Sequence, residues 1–348
     1  MDRHYTARLE KIEAVLRNRL PKHPDQDWVR FAFDPMASEP PTDLVRNLTE
    51  PGRELVARGG KRWRPLFMTL VCEALGGGDA AILLTPLVEF PHNGSLIHDD
   101  IEDGADERRG APAIHITYGV DVGINSGCFM YFLPLACLDE WDAPAEKKLG
   151  VYRTYGEHLR RIHLGQAMDI SWHRNFSSMP SVTEYELMCR LKTGVLARLS
   201  AVLGALIADA DEQTAARIGK TAEDLGVGFQ IMDDVKNLTT GNPGKKRGDD
   251  IVEGKKSLPI ILYLHKNPNR VEFVTRCFSA ARARGTGVGE VEELIAELDA
   301  AGAIAAAKAQ GKALVDGAVT AIRGSAFPRG AVSEEARELL AGLAEMMG

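Results

Sequence analysis

Apolar residues recur along this chain at helical spacing. Leu9, Ile12, Leu16 and Leu20 fall three to four apart between charges, which predicts an amphipathic helix at the start. Residues 21–52 hold Pro21, Pro24, Pro35, Pro40, Pro41 and Pro51, and read as a connecting segment with at most short helices. From residue 53 onward, runs such as LFMTLVCEAL, TYGVDVGINSGCFMYFLPLACL and GVLARLSAVLGALIADA are long, rich in Ala and Leu, and lack the alternation of strands. Ser181-Val182-Thr183-Glu184 has the form of a capping box, and Thr85-Pro86 marks another helix start. Gly76-Gly77-Gly78, Asp142-Ala143-Pro144 and Gly241-Asn242-Pro243-Gly244 are turn signals. The longest polar break, Thr239 to Lys256, mixes Gly, Lys and Asp and reads as a lid beside a reactive site. Leu294, Leu298, Leu314, Val315 and Ile322 carry the period towards the C-terminus, and no fixed-period repeat is present. The pattern predicts an all-α protein. An N-terminal helix and Pro-rich segment fill 1–52, and one domain of ten or more helices around a central cavity fills 53–348.

Composition narrows the function classes. The 348 residues are 45% hydrophobic and 26% charged, an ordinary globular composition, enough for one large domain or two small ones. A formal net charge of −7 argues against wrapping nucleic acid, which needs a net basic face. Local basic clusters still permit a small polyanion. The five cysteines, Cys72, Cys128, Cys137, Cys189 and Cys277, are scattered without a CxxC pair, as in a reduced cytoplasmic protein. The N-terminus lacks the unbroken apolar run of a secretory signal. No stretch is expected to approach the ~20 apolar residues of a membrane span, so stable membrane insertion is not expected. The first helix is amphipathic and could touch a membrane surface, but packing on the protein's own body or on a partner subunit is the expectation.

The charges are not scattered evenly. Asp99, Asp100 and Asp103, with Glu102, crowd one helical turn in an apolar helix. At about 100° per residue, Asp99 and Asp103 lie within about 40° of each other. Such repulsion calls for a hard divalent cation, and Mg²⁺ is usually held by one or two carboxylates plus phosphate oxygens and water. The same face, followed backwards, carries Ser95 and His92. A second acid pair, Asp233-Asp234, has Gln230 before it and Asn237 one turn later. Two acid-bearing helices suit a clamp on a shared group of Mg²⁺ ions. Bases come in matching sets: Lys61, Arg62 and Arg64 after a glycine pair; Arg108-Arg109; Lys192 in Lys192-Thr193-Gly194; and Lys245 and Lys255 at the polar break. Arginine offers forked contacts to phosphate and lysine a compact charge. Together the sets suggest a site for two diphosphates and several metal ions.

At these motifs the chain resembles the trans-isoprenyl diphosphate synthases, the family of farnesyl and geranylgeranyl diphosphate synthases. The matching segments are GGKRWRP (59–65), HNGSLIHDDIEDGADERRG (92–110), GQAMDISW (165–172), KTG (192–194), GFQIMDDVKNL (228–238) and GKKRGDDIVEGKKSLP (244–259). They run in order over about residues 53–265, and the details are closest to the eukaryotic geranylgeranyl type. Asn237 stands where many members have a third Asp, and Asn is the expected residue in that subgroup; an amide binds Mg²⁺ more weakly than a carboxylate, so the second site is expected to lean on Asp233. The resemblance implies the isoprenoid synthase bundle and a homodimer built on exposed apolar helix faces. It implies that Asp99 and Asp103 hold two Mg²⁺ ions and Asp233 a third. Arg108, Lys192, Lys245 and Lys255 would grip an allylic diphosphate. Lys61, Arg64, His92 and Arg109 would bind isopentenyl diphosphate, with Thr193 and Gln230 near the reacting carbons.

The implied chemistry is electrostatic. Fixed cations and metal stabilise a diphosphate leaving group, isopentenyl diphosphate attacks the allylic cation, and a proton is lost. Lys192, Thr193, Gln230 and Arg108 are the expected catalytic set. The departing diphosphate is expected to take the proton. Product length should follow pocket depth. Gly94 and Ser95 lie about 6–7.5 Å down the helix from Asp99. Their small size is expected to leave room for a C20 product, with a floor near Phe90, Met130, Tyr131 or Phe132. Two rivals are a class I terpene cyclase, whose Asn/Asp…Ser/Thr…Glu metal triad is absent here, and a non-catalytic subunit, which usually loses an acid motif.

Overall fold

The helical period of the apolar positions becomes helix along nearly the whole chain. The computed structural model describes residues 3–241, 246–328, 330 and 333–348. Its first helices are α1 (Arg3–Arg19), α2 (Gln26–Phe33), α3 (Thr42–Ala57), α4 (Trp63–Ala74), α5 (Pro86–Asp103), α6 (Ile114–Tyr118), α7 (Val120–Phe132) and α8 (Cys137–Glu140). There follow α9 (Ala145–Arg174), α10 (Val182–Cys189), α11 (Val195–Ile207), α12 (Glu212–Thr239) and α13 (Asp249–Glu253). The last are α14 (Leu258–Lys266), α15 (Val271–Arg284), α16 (Gly289–Ala300), α17 (Ala303–Arg323) and α18 (Glu334–Glu345). The fold is all-α. Its described strands are two-residue β1 (Glu107–Arg108) and β2 (Ala111–Pro112), which pair antiparallel around Arg109-Gly110.

The chain divides into two compact units. The first holds residues 1–156, 199–216 and 328–340. In it α5 packs on α7, α3 and α4, and α1 packs on α4. Ile12, Leu16 and Leu20 of α1 are buried, so the predicted stripe faces the protein's own body. Helix α3 corrects the reading of 21–52 as mere connector. It runs for 16 residues, crosses the boundary expected at residue 52, and contains Pro51. A proline inside a helix loses one backbone bond. Burial of Val45, Leu55 and Val56 in the same helix offsets that loss. Pro86 opens α5 as expected, although Thr85 makes no side-chain cap.

Small residues decide how near α5 and α7 come. A Cβ at Gly94 would lie 2.7 Å from the Gly127 carbonyl oxygen and 3.1 Å from Met130 Cβ. The run Val120–Glu140 is long and apolar enough to cross a membrane by length and composition, with 44% of its window buried. That corrects the expectation that no stretch comes near that length. The run is broken by a 3₁₀ turn at Leu133–Ala136.

The second unit holds residues 157–198, 217–327 and 341–348. Its core draws Tyr185 from α10, Ile231 from α12, Leu258 from α14, Phe278 from α15, Leu294 from α16 and Ala307 from α17. Each large apolar side chain so buried contributes roughly 1.5–3 kcal/mol. The capping box forms: Glu184 N donates to Ser181 Oγ, and Ser181 N donates to Glu184 Oε2. The polar break is not loop throughout. Residues 249–253 form α13, and Ile251 and Lys256 are buried. Residues 242–245, which include Lys245, lie outside the described residues.

Candidate active site

Helix α5 carries the first acid turn to its C-terminal end in the first unit. There Gly104, at φ +66°, closes the helix and Ala105 N bonds back to Asp100 O. The carboxylates divide the work. Asp100 is fully buried and accepts from Arg108 Nε at 2.8 Å, with a second, shorter bond from Arg108 Nη2. Arg108 Nη2 also stands 3.6 Å from Asp99 Oδ2. Asp99 and Asp103 remain half-buried on one face. Arg108 reaches back because the strands fold over a two-residue turn. Arg109 and Gly110 both have positive φ, +55° and +73°, the form of a type I′ hairpin.

That hairpin sends Arg109 into a second cluster of the first unit. Arg109 Nη1 donates to Leu55 O at 2.9 Å and to Asn93 Oδ1 at 3.0 Å. Asn93 in turn donates to Glu89 Oε1 at 3.0 Å. Arg62 bonds Glu89 at 2.8 Å and Glu13 at 2.7 Å. Arg64 is buried, lies over the Trp63 ring at 4.4 Å, and its Nε has no partner. Burial pulls Arg64 down to about 10; Glu89 opposes the shift and Arg109 adds to it. Burial likewise brings Arg109 to about 10. Burial, then Arg64 and Arg109, push the His92 imidazolium well below the usual histidine range. Three guanidiniums thus share one buried carboxylate, and His92 beside them is neutral at pH 7. Such a pocket is short of negative charge and suits a phosphate group. Lys61, next to Arg62 in the sequence, is exposed.

The second unit holds the other cluster. The chain from α10 to α11 passes through a π-helical turn, Arg190–Gly194, a form often found at functional sites. Lys192 there pairs with Asp169 of α9 at 2.6 Å. Thr193 Oγ1 donates to Gln230 Oε1 at 2.8 Å, and Gln230 Nε2 donates to Asp234 Oδ1 at 3.0 Å. Asp234 Oδ2 accepts from Tyr185 OH at 2.6 Å and from Leu258 N at 3.3 Å. Burial raises the Asp234 carboxyl to about 6, against its hydrogen bonds from Tyr185 and Gln230. Asp233 beside it is half-buried. Lys255 pairs with Glu253 at 2.6 Å.

Several expectations change. Asn237 is not a weak metal ligand: it is fully buried, and its Oδ1 accepts from Asp250 N at 3.2 Å, holding the start of α13. Gly94 faces the α7 backbone, so its small size serves helix packing rather than an open product channel. Phe132 is 67% exposed and cannot floor a buried pocket, whereas Phe90, Met130 and Tyr131 are buried. Ser95 is half-buried and donates to His92 O at 2.8 Å. Sequence reasoning missed Glu89, Asn93, Asp169 and Tyr185 as partners of the named residues. Asn93 and Asp169 lay in quoted motifs, HNGSLIHDDIEDGADERRG and GQAMDISW, and Glu89 and Tyr185 in none. Among the described residues no three His, Cys, Asp or Glu side chains close into a metal site by themselves. The donors at Asp99, Asp103 and Asp233 are hard oxygens, which fit Mg²⁺ sharing its shell with phosphate and water.

An all-α chain with a buried arginine pocket and acid-bearing helices belongs with enzymes that transfer a diphosphate-activated group. The polyprenyl synthetase family model matches residues 45–298. A geranylgeranyl diphosphate synthase of Methanosarcina mazei is 31% identical over 280 residues, 74% of this chain and 85% of that protein. A geranylfarnesyl diphosphate synthase of Aeropyrum pernix is 36% identical over 229 residues, 63% of this chain and 71% of that protein. The solved geranylgeranyl pyrophosphate synthetase of Pyrococcus horikoshii superposes with a TM-score of 0.83 at 27% identity, over 99% of this chain and 96% of that one. The chain belongs to the polyprenyl synthetase family. It is a prenyltransferase that makes trans-prenyl diphosphates.

Proposed function

We propose that this enzyme condenses isopentenyl diphosphate head to tail with an allylic diphosphate to give geranylgeranyl diphosphate, with Mg²⁺ and as a homodimer of the cytoplasm. The observation that carries the substrate reading is the pocket of Arg64, His92 and Arg109, where buried cations outnumber carboxylates. Isopentenyl diphosphate fits there, with Lys61 closing from the exposed edge. Arg108, Lys192 and Lys255, with Lys245, bind the allylic diphosphate. Asp99, Asp103 and Asp233 hold Mg²⁺, about three ions in all, and the metal when bound neutralises charge developing on the leaving diphosphate. The stretch from residue 53 to the C-terminus carries all of these residues.

The chain's own groups do the remaining work. Lys192, parked on Asp169, turns to the substrate's oxygens when they arrive. Thr193 donates its hydroxyl hydrogen bond to Gln230, so its oxygen lone pairs are free to face an allylic cation. Asp234 and Tyr185 fix Gln230 in that orientation. The released diphosphate takes the proton lost after carbon–carbon bond formation. Scattered free cysteines support a reducing compartment. Exposed Val120, Ile124, Cys128 and Phe132 stand four apart on α7, an apolar strip suited to a second copy.

The test is product analysis. Purified chain with Mg²⁺, isopentenyl diphosphate and farnesyl diphosphate should release diphosphate and a C20 product. A C25 product would move the reading to the geranylfarnesyl class of the Aeropyrum relative. A hydrocarbon, or no turnover, would overturn it.

A further inference from the structure

Lysine is seldom buried, because its ammonium must leave water. Lys256 is 3% exposed. Its Nζ donates to Gly254 O at 2.9 Å and stands 4.4 Å from the Phe278 ring centre and 5.3 Å from that of Phe176. No carboxylate pairs with it among the described residues. Burial, then Arg282, lower its pKa to about 8, and Asp169 works against them.

Arg282 of α15 uses the same aromatic. Its guanidinium lies 4.4 Å from the Phe176 ring centre. Its Nη2 donates to Glu253 O at 2.5 Å and His173 O at 3.3 Å. Gly254 has φ +78°, and a Cβ there would lie 2.4 Å from Phe176 Cε1. So the carbonyls of Glu253 and Gly254 are each tied to a cation, and both cations stack on Phe176. The backbone bonds Gly254 N to Ile251 O and Lys255 N to Asp250 O already close the turn. An apolar side chain at 256 would fill the space without desolvating a charge. The charge therefore calls for a purpose other than folding. The residue it borders is Lys255.

We propose that Lys256 is a positioning residue: gripped by Phe176 and Phe278, its ammonium ties down the Gly254 carbonyl and aims Lys255 at the allylic diphosphate. This rests on the reading of Lys255 as an allylic diphosphate ligand. Lys255 leaves its pair with Glu253 when the anion arrives, and a fixed backbone keeps that exchange short. Cation–aromatic contact of this kind strengthens when desolvated.

The experiment is steady-state kinetics on the full chain with Mg²⁺, farnesyl diphosphate and isopentenyl diphosphate, plus thermal melting. Lys256→Met is expected to raise KM for farnesyl diphosphate about tenfold, to leave KM for isopentenyl diphosphate within about twofold, and to keep or raise Tm. Lys256→Arg is expected to recover most of the loss. Lys255→Ala is expected to raise the same KM at least as far, and the double variant to go little further. If Lys255→Ala raises it and Lys256→Met does not, the role of Lys256 is overturned alone. If Lys255→Ala changes nothing, the reading of Lys255 falls and this proposal with it. If Lys256→Met weakens both substrates in step with a lower Tm, its role is merely structural and the proposal is overturned. Should Lys256→Met fail to fold, Phe278→Leu replaces it. A rise of about threefold in the same KM is then expected, and no rise overturns the proposal.

Discussion

Thr193 and Gln230 are joined by one 2.8 Å hydrogen bond, and their proposed role stands or falls together. Thr193→Ala and Gln230→Ala should each lower kcat about ten- to hundredfold with small changes in KM. Full kcat in both would end the cation-stabilising role. Asn237→Ala should cost about 1–3 kcal/mol in urea unfolding, because it leaves the buried Asp250 N–H unpaired. Mg²⁺ activation should stay at its parent concentration, which separates a cap from a ligand. Asp234 gives a pH prediction. Its carboxyl lies at about 6, above the ordinary 3.8, so the native state holds a proton longer than the unfolded chain. That favours folding at low pH, and the advantage is lost as pH rises from about 4 through 6. In EDTA, Asp234→Asn should flatten the stability profile over that window. The acids and bases themselves were legible because like charges at helical spacing demand partners. Their partners were not: Lys192 and Asp169, or Tyr185 and Asp234, meet only through the packing of separate helices.

Helices repeat this contrast. The apolar stripe of α1, the capping box of α10 and the Pro86 start of α5 could all be read locally. The interior Pro51 of α3 could not, because burial of the helix outweighs what its own residues favour. The polar composition of 239–256 likewise hid α13, whose Ile251 is fully buried. Gly94 looked like room for a growing chain until α7 was placed beside it. Gly94→Phe should therefore cost more than about 3 kcal/mol, or prevent folding, since the helices must part. Ser95→Phe is the cleaner test of product length. It should move products shorter at near-parent Tm, measured by chromatography of the dephosphorylated alcohols. An unchanged product ladder would remove Ser95 from the length-setting residues.

For the molecule as a whole, an all-α prenyltransferase could be read from paired acid motifs and flanking bases. The division into two compact units could not, because helical period is the same on either side of a boundary. Self-association belongs to this scale. Phe132→Glu places a charge in the strip that includes Ile124, and should halve the mass in light scattering while monomer Tm changes little. A parent chain that is already monomeric would refute the dimer.

The arginine-rich pocket has a consequence outside catalysis. Its like charges repel until an anion arrives, so the empty fold carries a debt that ligand cancels. Inorganic diphosphate at a hundred times its Kd would add about 2.7 kcal/mol to the folded state. In a cell, the lifetime of this enzyme against proteases would then rise and fall with its precursor supply, and starving the pathway would also thin out the catalyst.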